Sequence, residues 1–349
     1  MDLKLGEHLR ALPGPILITG HTGFKGTWLT FLLEHLGVST VGYSLAPEKD
    51  CLYDRAQLTG KIPEIYADIR DVETFRKFLG THKPSAIIHM AAQPLVLQSY
   101  KTPRETFDVN IMGTVNVLNE AFATDYVQAV IVVTTDKVYR NSNSSDGYLE
   151  SDPLGGHDPY SSSKAMADLM TQSFMHLNPQ SPIGIARAGN VIGGGDIGEQ
   201  RLIPDIIRAI EDKTVLELRY PRAVRPWQHV LDCLNGYLEM ISTLIASGKS
   251  NVWNVGPDAK DFNDVETVVR LFLEKIDETI DIRSVEAQFV ETSVLKLNSD
   301  KLRMESDWKN ELTFEDSVEW TAAWHSLVKH EKLSPAQVLN KQIADFIDL

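Results

Sequence analysis

The chain has 349 residues, 43% of them hydrophobic and 23% charged, a composition that suits a globular protein of one large domain or two sharing an interface. Its formal net charge of -14 disfavours nucleic acid and anionic membrane surfaces, which are bound through clustered Lys and Arg, and so points to a small-molecule partner. Cys51 and Cys233 form neither a CxxC pair nor a disulfide framework, no apolar run reaches the roughly 18 residues that span a bilayer, and "MDLKLGEHLR" lacks a signal peptide's apolar core; the expectation is a metal-free protein of the cytoplasm.

Through the first half, short apolar runs alternate with amphipathic segments. "PILITG" leads into "FKGTWLTFLLEHLG"; "VSTVGY", "VETFRKFLG", "SAIIHMAA", "TFDVNIMGTVNVLNEAF" and "QAVIVVTT" follow. Buried strands alternating with helices predict an α/β fold, a Rossmann-type doubly wound parallel sheet that binds its ligand at the carboxyl ends of the strands. After "PIGIARAGNV" the pattern becomes irregular, with a glycine loop, the helix "IPDIIRAIEDK", the basic segment "LRYPRAVRPWQHV" and helices near 232–244, 264–276 and 314–329. Residues 1–187 are therefore expected to form a dinucleotide-binding domain, with return segments near 229–255. Residues 188–349 are expected to form mainly a smaller C-terminal substrate-binding lobe.

Four groups of residues carry chemistry. Gly20, Gly23 and Gly26 sit between the first strand and the first helix of this pattern, where glycine lets the backbone turn tightly and approach a pyrophosphate held at the helix N-terminus. The next strand ends at Ser44, without the acid that commonly holds an adenosine ribose; Asp68 offers a carboxylate at the end of the third strand, unless it caps a helix as Asp71 would. Tyr160 and Lys164 are four residues apart, on one helix face, and a Lys there lowers a phenol's pKa from about 10 toward 7, a shift of about 4 kcal/mol, to make a base for an alcohol proton. Thr134 and Thr135 end a strand, placed to bond the same substrate oxygen.

Asp136 and Lys137 follow at once. Oxidation of an alcohol needs only Thr, Tyr and Lys, so an added acid and base suggest a second proton transfer. Oxidation of a sugar at C4 acidifies the C5 hydrogen; a base then removes it while an acid protonates the departing C6 hydroxyl. In a dry site the neutral Asp and Lys pair is the proton tautomer of the ion pair, and burial favours it. The fourth group is Arg219, Arg222 and Arg225, whose forks suit a diphosphate, beside Trp227 to wall a sugar or base.

These residues resemble the extended short-chain dehydrogenases/reductases, and more narrowly their CDP-glucose 4,6-dehydratase branch. The resemblance rests on "GHTGFKGTWL", "GYSLAP", "AAQPLV", "VTTDKVY", "DPLGGHDPYSSSKA", "ARAGNVIGGGD", "RLIPD", "AVRPWQHVLD", "WNVGP" and "LKLNSDKLR". It implies a tightly held NAD, and "GYSL" in place of the ribose acid is part of the pattern. By position it assigns Thr135 and Tyr160 to the C4 hydroxyl, Lys164 to Tyr160 and the nicotinamide ribose, Asp136 to the acid and Lys137 to the base. It further implies cofactor contacts at Gly20, Thr22, Gly23, Phe24, Lys25, Gly26, Ser44, Asp68, Ile69, Ala91, Ala92, Tyr160 and Lys164. Substrate contacts are implied at Asn190, Arg201, Leu202, Arg219, Arg225 and His229, and a homodimer through the helices "TFDVNIMGTVNVLNEAF" and "PYSSSKAMADLMTQSFM". Leu97 and Leu149 stand where Arg would be expected and Ile197 where Trp would be, departures that bear on substrate fit. The rival readings are a nucleotide-sugar 4-epimerase or decarboxylase on the same scaffold, and a non-catalytic dinucleotide sensor.

Overall fold

Seven short strands form one parallel sheet in the computed structural model, which describes residues 3–141, 146–177, 181–286 and 292–349. They are β1 (Ile16–Thr19), β2 (Thr40–Ser44), β3 (Glu64–Tyr66), β4 (Ala86–His89), β5 (Ala129–Thr135), β6 (Ile183–Ala188) and β7 (Asn251–Val255). Their spatial order is β7-β6-β5-β4-β1-β2-β3, and every neighbouring pair is parallel. The order reverses between β1 and β4, which opens a crevice at the carboxyl ends of those strands. "SNVWNVG" does return to the sheet, as edge strand β7 beside β6.

The apolar runs read as continuous because both faces of the sheet are covered. Ile16, Ile18, Ala86, Ile88, Ile131 and Val133 pack on one face against Trp28 and Leu29 of the helix Phe24–His35 and Leu234 and Tyr237 of the helix Val230–Ser247. The intervening residues Leu17, Ile87, Val130 and Val132 pack on the other, against Phe75 of the helix Val72–His82 and Val117 and Leu118 of the helix Gly113–Phe122. This is the two-residue alternation of a strand, buried on both sides.

A separate apolar cluster marks the lobe: Ile203 and Ile206 from the helix Leu202–Asp212, Leu216, Trp227, and Val268 and Phe272 from the helix Val265–Lys275. The C-terminal segment departs from the expected division. Val338, Leu339, Ile343 and Phe346 of the helix Pro335–Ile347 join the cluster of Trp28 and Leu32, so this helix covers the sheet domain rather than the lobe. An amphipathic stripe states that a helix is covered, not by which surface.

Candidate active site

A cleft of about 1800 Å³ runs along the carboxyl edge of the sheet and continues under the lobe. Its floor is made by backbone. Gly20, just after β1, has φ +78° and donates its N–H to the Tyr43 carbonyl at 2.9 Å. A Cβ on Gly26 would lie 2.3 Å from the Gly20 oxygen and 2.5 Å from the Cα of His21, so only glycine allows the turn to fold against the helix. The helix Phe24–His35 starts at Gly23 with no side chain capping its first turn. An uncapped helix N-terminus behind a turn without side chains fits a dinucleotide pyrophosphate.

The other expected cofactor residues, Thr22, Phe24, Lys25, Ser44, Asp68, Ile69, Ala91 and Ala92, all line the same cleft. Ser44 Oγ lies 2.8 Å from Thr22 Oγ1, and Thr22 also donates to the Leu45 carbonyl at 3.1 Å, so the end of β2 is tied to the glycine turn by hydroxyls. Asp68 is no helix cap. Its carboxylate is paired with Arg70 at 2.6 Å, which holds it below the usual carboxylate range, while Asp71 does cap the helix Val72–His82 by accepting from the Thr74 N–H. Lys25 reaches across the floor to the hydroxyl of Tyr237 at 3.1 Å.

The reacting groups meet where β5 ends. Thr135 donates its hydroxyl to Asp136 Oδ1 at 3.0 Å, and its oxygen accepts the Lys137 N–H at 3.3 Å, which starts the short 3-10 turn Asp136–Val138. Asp136 is 2% exposed, and its Oδ2 has no hydrogen-bond partner among the described residues. Burial pushes its carboxyl above the usual range, against the pull of Lys137, Thr135 and Arg225. That is the state needed by an acid. Lys137 lines the cleft beside it, half-buried.

Tyr160 and Lys164 come from the helix Pro159–Leu177, started by Asp158, whose carboxylate accepts the Ser161 N–H at 2.9 Å. Burial raises the Tyr160 phenol to about 12, with Thr135 and Arg201 opposing the rise. Lys164 is lowered to about 8 by burial and by Lys25, and its Nζ donates to the Val133 carbonyl at 2.7 Å. The expected lowering of Tyr160 by Lys164 is therefore not found in this arrangement. The ammonium is committed to a strand carbonyl, and desolvation outweighs the opposing charges on the phenol. Thr134 lines the cleft beside Thr135, but its hydroxyl is committed to Asp168 at 3.2 Å, so Thr135 has the hydroxyl placed beside Tyr160.

On the opposite wall, Asn190, Arg201, Leu202, Arg219 and Arg225 line the cleft, as do Leu97, Ile197 and Trp227. Arg201 is held by Asp196 at 2.9 Å and 3.0 Å, Arg225 is 4% exposed with its charge felt by Asp136, and Arg219 is exposed. Arg222 leaves this group and pairs at the surface with Glu266 at 3.2 Å. His229 does not line the cleft. It is fully buried between Trp28 and Trp320, accepts the Leu231 N–H as the cap of the helix Val230–Ser247, and is lowered to about 3 by burial. The expected substrate contact is thus a capping residue of the core. Leu149 is likewise outside the cleft lining, beside the Tyr148 that lines it.

The sequence reading missed three buried polar residues that build this site. Asn110 lies in the π-helical turn Asp108–Met112; it accepts the Gln93 N–H at 2.8 Å and donates to Ser163 Oγ at 2.8 Å, tying the loop after β4 to the helix of Tyr160. Asp168 and Arg187 form a pair at 2.8 Å beneath β5. Asp168 was readable as four residues beyond Lys164 on the same helix face, and Arg187 as a charge inside the apolar strand "IGIARA". Among the described residues no group of three or more His, Cys, Asp or Glu is placed to hold a metal ion, and no helix is long and apolar enough to cross a membrane.

Residues 16–256 match the model of the NAD dependent epimerase/dehydratase family. The chain is 38% identical over 329 residues to a CDP-glucose 4,6-dehydratase of Salmonella typhimurium, covering 89% of this chain and 90% of that protein. It is 26% identical to a dTDP-glucose 4,6-dehydratase of Xanthomonas campestris, covering 88% and 92%. Among solved structures, UDP-glucose-4-epimerase from Stenotrophomonas maltophila, with bound NAD and formylated UDP-arabinopyranose, superposes with a TM-score of 0.82 at 20% identity, covering 91% of this chain and 99% of that one. The dTDP-glucose 4,6-dehydratase from Bacillus anthracis in complex with NAD has a TM-score of 0.78 at 23% identity, covering 93% and 99%. These two likenesses carry the fold.

Proposed function

The chain belongs to the NAD dependent epimerase/dehydratase family and is an NAD-dependent enzyme of its sugar 4,6-dehydratase kind; from that premise we propose that it converts CDP-glucose to CDP-4-keto-6-deoxyglucose. The observation that carries the dehydratase step is Asp136: buried, raised by that burial, with one oxygen unpartnered, and touching the Thr135 that faces Tyr160. An epimerase has no use for such an acid beside the oxidation set. The relative at 38% identity supports the choice of CDP-glucose among sugar nucleotides.

The glycine turn and the uncapped helix would hold the pyrophosphate of NAD, with Thr22, Ser44, Asp68 and Ile69 toward its adenosine half and Ala91, Ala92 and Lys164 toward its nicotinamide half. When bound, NAD would supply a hydride acceptor for C4 of the sugar and a hydride donor for C6. Tyr160 takes the C4 hydroxyl proton as the phenolate, a form that the positive charge of bound NAD would favour against the burial that raises the phenol, with Thr135 bonded to the same oxygen and Lys164 one turn away. Lys137 removes the C5 proton made acidic by the C4 ketone. Asp136, protonated, gives its proton to the C6 hydroxyl, which leaves as water. Lys137 then returns its proton to C5 as the hydride arrives at C6. Arg201, Arg219 and Arg225 hold the diphosphate and Asn190 and Leu202 border the sugar.

Incubation with a panel of CDP-, dTDP-, GDP- and UDP-glucose, followed by mass spectrometry, tests both levels. Loss of one water from CDP-glucose without added NADH is expected. Dehydration of another nucleotide's sugar overturns the base assignment, and an unchanged sugar from every donor overturns the dehydratase reading.

We further infer a cytoplasmic homodimer. Met112, Met166, Leu169 and Leu177 are large apolar residues left exposed on the two helices implied in a dimer contact. Light scattering on the purified protein reads the dimer directly, and a monomer at micromolar concentration overturns it.

A further inference from the structure

Beneath the reacting groups lies a buried polar assembly that none of the steps above uses. Asp168 is fully buried and Arg187 is 1% exposed, joined by two bonds of 2.8 Å, from Nε to Oδ2 and from Nη2 to Oδ1. Asp168 stands one helical turn beyond Lys164 and also accepts the Thr134 hydroxyl at 3.2 Å. Arg187 lies opposite Thr134 in the register of β5 and β6. Its remaining nitrogen donates to the Tyr139 hydroxyl at 3.0 Å and the Glu150 carbonyl at 2.9 Å, and its guanidinium sits 5.0 Å over the Tyr139 ring. Tyr139 ends the turn that carries Asp136 and Lys137, and in turn donates to Asn254 of β7 at 2.5 Å.

One ion pair thus touches both halves of the machinery. Its carboxylate is on the helix of Tyr160 and Lys164, and its guanidinium grips the residue after the turn of Asp136 and Lys137. We propose that the Asp168–Arg187 pair is a positioning element that fixes the oxidation set against the elimination set, with its carboxylate set as a counter-charge one helical turn from Lys164. This rests on the dehydratase reading for its kinetic consequence and, for its effect on Lys164, on the one-turn spacing of the two residues together with their shared burial.

Tyr160, one helical turn before Lys164, is kept neutral by its burial, and Arg187 stands behind Asp168. Lys25 approaches from the helix Phe24–His35, His89 from the end of β4, and Asp168 from its own helix. His89 is fully buried, lowered to about 3, and bonded through both nitrogens to Thr19 and Thr114, so it is neutral. Burial and Lys25 both favour loss of the Lys164 proton, and Asp168 is the carboxylate that opposes them. Removing one member of a buried pair strands the other charge, whereas removing both is far better tolerated.

The test uses Asp168→Asn and the double variant Asp168→Asn/Arg187→Met, with 13C-labelled lysine and Lys164→Arg to assign the Lys164 resonance. In the free protein the Lys164 titration midpoint is expected to fall by about one pH unit in Asp168→Asn, which leaves the Arg187 charge unpaired, and by less in the double variant, which removes both charges. In turnover of CDP-glucose, kcat at pH 7.5 is expected to fall by about 10- to 100-fold, with KM within about twofold and part of the loss recovered at lower pH. If Asp168→Asn does not fold, the double variant still gives the kinetic readings and a smaller fall of the Lys164 midpoint. An unchanged Lys164 midpoint overturns the charge role. A loss that appears only in KM, or equally at every pH, overturns the positioning role and leaves a merely structural pair. If the wild type dehydrates no sugar nucleotide, the dehydratase reading fails while the lysine titration still decides the charge role.

Discussion

The two sides of the cleft are built from different materials. On the cofactor side the contacts come from backbone: a glycine turn, a helix end without a side-chain cap, and hydroxyls that tie β2 to the turn. On the side proposed for the sugar nucleotide the lining includes charged side chains from separate elements, with Arg201 before one helix, Arg219 after a short strand and Arg225 within another. A backbone site tolerates no added atoms, while a side-chain site accepts the exchange of whole groups. The first kind holds one cofactor through many reactions; the second changes substrate by exchanging a few residues.

Substitutions on each side separate these behaviours. Tyr160→Phe removes the proton acceptor and is expected to lower kcat by about 10²- to 10⁴-fold while NAD stays bound at wild-type occupancy; loss of the cofactor from this variant, read by absorbance, would place Tyr160 on the cofactor side. Gly26→Ala forces a methyl group onto the Gly20 oxygen, and about 1–3 kcal/mol of overpacking weakens NAD about 10- to 100-fold by calorimetry. Unaltered NAD affinity would show that the turn yields. Lys137→Met should still reduce bound NAD with CDP-glucose but release no water, so stopped-flow absorbance and product mass part company; elimination at the wild-type rate would remove its role as the base. Arg219→Ala is expected to raise KM by about tenfold with kcat nearly unchanged, the size of one exposed charged hydrogen bond to a phosphate. A fall in kcat alone would mean that this arginine acts on the reacting bonds.

The effect that leaves activity untouched concerns His229, which the sequence sets on the sugar side and the structure sets in the core. Its folded value near 3 lies below the ordinary 6.5, so the unfolded chain binds the extra proton between those limits and stability falls as pH drops through that window. Asn can still cap the helix and does not titrate. His229→Asn is therefore expected to leave KM unchanged and to flatten the pH dependence of unfolding free energy by about 1.4 kcal/mol per pH unit between roughly 3 and 6.5, measured by urea titration. An unchanged slope would mean that the folded protein carries a charged His229.

The same contrast explains what could be read from the chain. Gly20, Gly23 and Gly26 were legible because a backbone site is contiguous: one stretch forms the strand end, the turn and the helix start. Thr135, Asp136 and Lys137 were legible for the same reason. His229 was misread because adjacency to Arg225 in "RPWQHV" says nothing of side-chain direction, and the chain turns inward between the paired strand residues 228–229 and the helix that follows. Tyr160 and Lys164 were placed correctly in the cleft, yet their ionisation depends on burial and on Lys25, more than a hundred positions earlier in the chain. The C-terminal helix showed its apolar stripe but not its partner, since helices 24–35 and 335–347 meet only in the folded protein.

The π-helical turn Asp108–Met112 has a consequence for how the two faces of its helix are related. Such a turn contains one residue more than an α-helical turn, and each residue advances the helix by about 100°. Removing one residue there would rotate everything beyond it by roughly that angle. The same deletion would pull Asn110 off Gln93 and Ser163 and swing the exposed Met112 to a new bearing. The extra residue therefore works as a phase adjuster, setting the inward anchor of the active site and the outward surface of the molecule with a single insertion.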